Sequence, residues 1–195
     1  MNKIDYGIEM RALLGGMEQC GDIGMVKQDD NQCLLALVDV LGHGADARKV
    51  ALQAEEYLMA ALNNDLLSVM NGLHDFIKGS RGAVVSLCSF DVATGILRHV
   101  GIGNITVRIF GANQPRLVSR DGIVGYGLIS PHLYVANLLP GDTLLMHSDG
   151  IKEHFDAVEC ADLLGGTAED IAFGILNRFG LKNDDSSCIV LKYLR

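Results

Sequence analysis

A chain of 195 residues, 49% of them hydrophobic, is sized for one domain with a substantial core. Its formal net charge is -8 and its 16 basic residues are scattered, which argues against nucleic acid and anionic membrane as partners, and no apolar run has the length of a membrane span or the flanks of a signal peptide. The five cysteines, Cys20, Cys33, Cys88, Cys160 and Cys188, are far apart with no CxxC pair, a pattern of reduced, buried thiols in a cytoplasmic protein and not of a disulfide frame or a zinc site.

In chain order, "IDYGIEMRAL" and "GDIGMVKQDD" read as early strands broken by glycine, and "QCLLALVDV" as a buried strand. After Gly44, Ala47, Val50, Ala51, Ala54, Leu58, Ala61 and Leu62 recur at helical spacing, which predicts a helix ending near "NND". A second helix is expected over Leu66 to Ile77. The stretch "GAVVSLCSFDVATGILRHVGIGNITVRIFG" holds three strand-like runs with turns at "DVATG" and "GIGN", and short loops of this kind join antiparallel neighbours. Further strands fit "LYVANLL" and "DTLLMHSD", two helical stretches fit within 152–179, and "SSCIVLKYL" closes as a strand. Consecutive meander-like strands argue against a doubly wound parallel sheet. They fit an α+β fold in which antiparallel sheets are covered by helices.

The acidic residues of interest fall at strand ends. Asp22 lies in "CGD", Asp39 ends an apolar strand, Asp149 precedes Gly150 after another, and Asp184 and Asp185 stand before the last strand. Taken singly, Asp149-Gly150 and Gly21-Asp22 are ordinary turn pairs. A carboxylate closing a strand as apolar as that of Asp39 needs a partner. Four carboxylates converging on one sheet edge would repel one another, and Lys152, Lys182 and Arg48 are too few and too scattered to neutralise them. Oxygen ligands of this kind select hard divalent cations such as Mg²⁺ or Mn²⁺. Two such ions about 3.5–4 Å apart would share a bridging water and make it a nucleophile near neutral pH.

The same region carries a competing motif. "GHGADA" matches G-x-G-x-x-A between a strand and a helix, the dinucleotide-binding fingerprint. That motif requires a parallel strand ending in an acidic residue about 20 positions on, where this sequence places helix after helix. The glycines are better read as a tight turn beside Asp39. His43, between them, is either a proton donor or a filler of that turn.

Together "CGD", "VDVLGHG", "RGAVVSL", "GIGN", "LLMHSDG" and "KNDDSS", in this order over the whole chain, resemble the PPM (type 2C) metal-dependent Ser/Thr protein phosphatases. The resemblance is strongest to the short SpoIIE-like bacterial branch, which includes a feedback phosphatase of the stressosome. It implies a single phosphatase domain over 1–195, built as a four-layer αββα sandwich with the metals at one edge between the sheets. It implies that Asp39 bridges two Mn²⁺ or Mg²⁺ ions, that the Val40 carbonyl binds one of them, and that Asp149 and Asp184 complete a metal shell. Asp22 would serve the other side, and Asp185 would sit behind the ligands. Gly21, Gly42, Gly44 and Gly150 would shape the turns, with Gly103 and Asn104 in a buried hairpin.

The sequence departs from that pattern in places. Leu41 stands where the eukaryotic branch has an acid histidine, and His43 lies two residues further on. Val40 replaces a frequent glycine, Ser187 replaces a usual threonine, and only Arg11 offers itself for the phosphate-binding arginine of larger relatives. The implied activity is attack of a metal-bound hydroxide on a phosphoserine or phosphothreonine. The implied partners are phosphorylated STAS-domain scaffold or antagonist proteins of a stressosome. Two other readings are a catalytically silent binding module of the same fold and a nucleotide-binding oxidoreductase.

Overall fold

The computed structural model describes residues 4–29, 31–61, 65–127 and 130–194. Nine strands and three α-helices follow one another as β1 (Ile4–Arg11), β2 (Asp22–Gln28), β3 (Gln32–Val40), α1 (Ala45–Ala61), α2 (Leu66–Phe76), β4 (Ala83–Asp91), β5 (Ile96–Ile102), β6 (Thr106–Phe110), β7 (Tyr134–Asn137), β8 (Thr143–His147), α3 (Ala168–Phe179) and β9 (Ser186–Tyr193). One sheet has the order β1-β9-β8-β6 and the other β2-β3-β4-β5-β7. All neighbouring strands in them run antiparallel.

The layering follows from which faces are apolar. Between the sheets lie Leu35, Leu37, Phe90 and Leu97 from one side and Leu144, Met146, Ile189 and Leu191 from the other. The outer face of the five-stranded sheet presents Ala36, Val38, Val85, Leu87 and Val100 to α1 and α2. The outer face of the four-stranded sheet presents Leu145, Cys188 and Val190 to α3. Each central strand is buried on both faces, which is why β3, β4 and β9 read as continuous apolar runs and not as alternation. The result is the αββα sandwich that the resemblance implied.

The helices obey their local signals. In α1 the buried face is Ala47, Val50, Ala51, Ala54 and Leu58, mostly small residues that let the helix lie close on the sheet. Asp65 caps α2 by accepting from the Ser68 amide. A reciprocal capping box between Thr167 and Asp170 starts α3.

Four expectations need correction or limits. The "GIGN" loop does not join antiparallel neighbours: β5 ends in the five-stranded sheet and β6 begins in the other, so Gly103 and Asn104 form a crossover between sheets and not a buried hairpin, and Asn104 is exposed. Only one helix, α3, forms within 152–179, because residues 157–165 make successive turns before the Thr167 cap. The expected end of α1 near 63–65 falls partly outside the described residues. The parallel strand that a dinucleotide-binding reading of "GHGADA" demands is contradicted by the antiparallel pairing of β3 with both β2 and β4.

Candidate metal-dependent active site

The register of the strands carries the acidic residues to one edge. Asp22 opens β2 directly opposite Asp39 of β3, so two carboxylates face each other across one antiparallel pair. From the other sheet, β8 ends at His147 and β9 begins at Ser186, which brings Asp149 and Asp184 to the same edge. The two halves are clasped by hydroxyls. Ser148 Oγ and Ser187 Oγ donate to Asp22 Oδ2 at 2.9 and 2.6 Å, and the Ser187 amide donates to Ser148 Oγ at 3.0 Å. Ser148 was not singled out in the sequence and Ser187 was named only as a replacement for threonine, although "HSDG" and "DDSS" place a hydroxyl beside each acidic residue.

Asp185 is not at the charge centre. It accepts from the Leu13 and Gly21 amides, both at 2.6 Å, and so ties β1 and the turn before β2 to the start of β9. Asp184 is partly buried, and its Oδ1 accepts the Asp185 amide at 2.9 Å. Asp149 is exposed and accepts from Asn104 Nδ2 at 2.8 Å, a contact made possible by the crossover between sheets. His43 is exposed and lies close enough to Asp184 to act on it by charge. Arg11 is taken up elsewhere, its Nη2 donating to the Leu181 carbonyl at 2.8 Å.

Glycine is required here by geometry. Gly42 and Gly44 have φ of +79° and +83°, the left-handed region that side chains disfavour, and they turn the chain from β3 into α1. A Cβ on Gly150 would stand 1.8 Å from the Asp185 carbonyl oxygen, so that position admits no side chain while the two acidic loops touch. Gly21 donates its amide to Asp185 and packs on Ala47.

The electrostatics are those of an uncompensated cluster. Burial pushes the Asp39 carboxyl up to about 9, with further upward pressure from Asp22, Asp149, Asp184 and Asp185. Burial also raises Asp22, to about 7, while the Ser187 and Ser148 hydroxyls pull it back down. Asp184 is raised by burial and by Asp149 and Asp185. As they are placed, no three carboxylate, histidine or cysteine side chains among the described residues enclose an ion: the carboxylates flank a common edge. Their donor chemistry is all oxygen, and among the described residues no lysine or arginine forms an ion pair with Asp22, Asp39, Asp149 or Asp184, which fits hard divalent ions.

Beside this edge opens a cavity of about 780 Å³, lined by Asn104, Arg108, Arg116, Ser119, Glu153 and Phe155 among others. It shares Asn104 with the acidic site. Arg108 is fixed in its wall, stacked over Phe110 and Phe155.

A family model described as Stage II sporulation protein E (SpoIIE) matches residues 29–193. The chain belongs to the SpoIIE family. Members of this family are protein phosphatases with the type 2C fold, and this chain is one of them. Phosphoserine phosphatase RsbX of Bacillus subtilis (strain 168) is 23% identical over 140 residues, 70% of each chain. A chain solved in work on the bacterial stressosome, as a modular system adapted to control secondary messenger signaling, is 31% identical. It superposes with a TM-score of 0.88 over 98% of this chain and 100% of that one. RsbX in complex with magnesium is 19% identical with a TM-score of 0.84, over 98% of this chain and 96% of that one. That fold is the two-sheet, three-helix sandwich described above.

Proposed function

We propose that this SpoIIE-family chain is a metal-dependent phosphoserine/phosphothreonine phosphatase acting in the cytoplasm as a feedback regulator of a bacterial stressosome. Its substrates are phosphorylated STAS-domain scaffold or antagonist proteins. The observation that carries the catalytic part is the convergence of Asp22, Asp39, Asp149 and Asp184, from two different sheets, on one edge where burial and neighbouring carboxylates raise the proton affinity of Asp22, Asp39 and Asp184. Likeness to a stressosome chain and to RsbX supports the partner class, and five free, buried thiols suit a reducing compartment.

In this reading Asp39, the Val40 carbonyl, Asp149 and Asp184 would hold two Mn²⁺ or Mg²⁺ ions, with Asp22 as a further ligand or water-orienting group. When bound, such ions supply a nucleophilic oxygen at neutral pH and offset the charge of the phosphoryl group. The chain's own residues do the rest. Asn104 fixes the orientation of Asp149. Ser148 and Ser187 hold Asp22. Asp185 locks the turn at Gly21, and Gly42 and Gly44 let the chain reverse directly after Val40. His43, at the mouth beside Asp184, is placed to hand a proton to the departing serine or threonine oxygen.

The test is turnover of p-nitrophenyl phosphate and of phosphorylated STAS proteins from the source genome. Activity is expected with Mn²⁺ or Mg²⁺ and not with excess EDTA; full turnover after confirmed metal removal would sink the metal role. With a net charge of -8 and its basic residues scattered along the sequence, the chain is not built to capture a free peptide by charge, so the intact phosphoprotein is expected to react faster than a peptide bearing its site. Equal efficiency on both would remove surface recognition. Turnover of the small ester with no action on any phosphorylated STAS protein would remove the partner assignment alone.

A further inference from the structure

A phosphoryl dianion approaching a group of carboxylates needs protein donors for its peripheral oxygens as well as cations. Three guanidinium groups are committed to other parts of the fold. Arg11 donates to the Leu181 carbonyl, Arg108 to the Phe155 carbonyl between two rings, and Arg178 makes a two-point contact with Asp162. Arg81 is different. It is exposed, and among the described residues it pairs with no carboxylate.

Its place is set by the β3–β4 ladder. Asp39 pairs with Val84 and Val40 with Ala83, and the Leu41 amide donates to the Gly82 carbonyl at 3.1 Å. The ladder therefore runs on past Val40 and sets Arg81 opposite Gly42. The Arg81 side chain folds back over this turn. Its Nη1 lies 3.4 Å from the Leu41 carbonyl oxygen, a long contact that is readily exchanged, and that carbonyl is one peptide beyond the proposed metal ligand at Val40. A Cβ on Gly42 would come within 2.9 Å of Nη1, so the glycine both makes the turn and keeps the seat of the guanidinium clear.

We propose that Arg81 grips the phosphoryl group of the substrate, its fork of N–H donors reaching the peripheral oxygens from the Leu41-Gly42 turn. This inference rests on the phosphatase reading. It assigns phosphate recognition to the segment before β4, whereas the sequence alone pointed only to Arg11. Arginine suits the role because its planar donors match phosphate oxygens two at a time, and lysine offers a point charge.

The experiment compares wild type, Arg81→Ala and Arg81→Lys in Mn²⁺. Three readings are taken on each: the thermal shift caused by Mn²⁺ alone, the further shift and inhibition caused by inorganic phosphate, and KM and kcat for p-nitrophenyl phosphate. Loss of one charge-assisted donor should raise KM and the phosphate inhibition constant about tenfold in Arg81→Ala. Arg81→Lys should recover part of that loss, and the Mn²⁺ shift should be kept in both. Unchanged KM and phosphate inhibition in Arg81→Ala overturn the assignment. So does a folded Arg81→Ala that has lost its Mn²⁺ shift, because the guanidinium then merely braces the turn. Absence of metal-dependent turnover in wild type would instead strike the phosphatase reading, and the phosphate shift of wild type against Arg81→Ala would still decide whether Arg81 binds phosphate.

Discussion

Replacing Asp39 by asparagine keeps the shape of the side chain and removes its ionisable carboxyl, which the proposed function makes central to the site. In the metal-free protein the Asp39 carboxyl is pushed up to about 9 from 3.8, first by burial and then by Asp22, Asp149, Asp184 and Asp185. A group whose folded pKa lies above its unfolded value gives stability that is complete below the unfolded pKa and is lost as pH rises toward the folded one. Other groups confine the useful window. His99 and His147 are lowered to about 4 by burial, so their contribution grows with pH up to about 6.5 and is constant above it. Asp22, at about 7, has given up most of its own contribution by then. The buried thiols, raised from 9.0, begin to matter only above the range of interest.

Between pH 7 and 8.5 the wild type without metal should therefore lose about 2 kcal/mol through Asp39, at about 1.4 kcal/mol per pKa unit, or about 4–8 °C in Tm for a chain of this size. Asp39→Asn should be flat across that interval and more stable than wild type in EDTA. Adding Mn²⁺ at a hundredfold over its Kd should give wild type about 2.7 kcal/mol and the variant almost none, with turnover abolished. Thermal unfolding at the two pH values, with EDTA and with Mn²⁺, reads all of this. A variant that keeps the wild-type pH slope, or the full Mn²⁺ shift, would refute the placement of Asp39 at the centre of the cluster.

Gly150→Ala should cost about 3 kcal/mol in chemical denaturation, since the new Cβ meets the Asp185 backbone at 1.8 Å and neither loop can give way without breaking the clasp; a loss under half a kilocalorie would deny that close approach. Asn104→Ala should weaken Mn²⁺ binding about tenfold by freeing Asp149, read by calorimetric titration, with an unchanged Kd counting against it. His99 is fully buried with Nε2 at 2.9 Å from Ser86 Oγ and stays neutral. Wild type should lose about 3 kcal/mol through it as pH falls from about 6.5 to 4, and His99→Gln should remove that part of the acid slope.

Much of this was legible because the strands are either doubly buried or bounded by glycine. "QCLLALVDV" coincides with β3, and the start of α1 is marked by the two positive-φ glycines. The crossover at Gly103-Asn104 was not legible, because a short glycine turn looks the same whether the next strand pairs with the last or leaves for another sheet. The second helix expected before 168 failed for a related reason: Leu163 and Leu164 have helical spacing with later residues, but they pack beneath α3 as turns. Among the proposed site residues the carboxylates stood out in the sequence by their place at strand ends. Asn104 was named only as part of a hairpin and Ser187 only as a replacement for threonine, and Ser148 and Arg81 were not named, since their contacts exist only once two sheets or two strand ends are brought together.

That difference also separates the two facing carboxylates. Asp22 and Asp39 are partners in register, yet Asp22 is held by two serine hydroxyls, whereas no hydrogen bond reaches the Asp39 carboxylate among the described residues. The donors come from the other sheet, so closing the sandwich partly satisfies Asp22 and leaves Asp39 as the carboxylate still short of a positive partner. The order of their proton affinities, about 7 against about 9, follows from this asymmetry and from the four like charges around Asp39. A buried polar group that the fold satisfies is a structural element; one that the fold desolvates and leaves unpaired costs stability until something binds it. Folding therefore spends part of the free energy of the αββα core on desolvating Asp39, and in the proposed reading the same edge that joins the two sheets is where cation binding would return that stability.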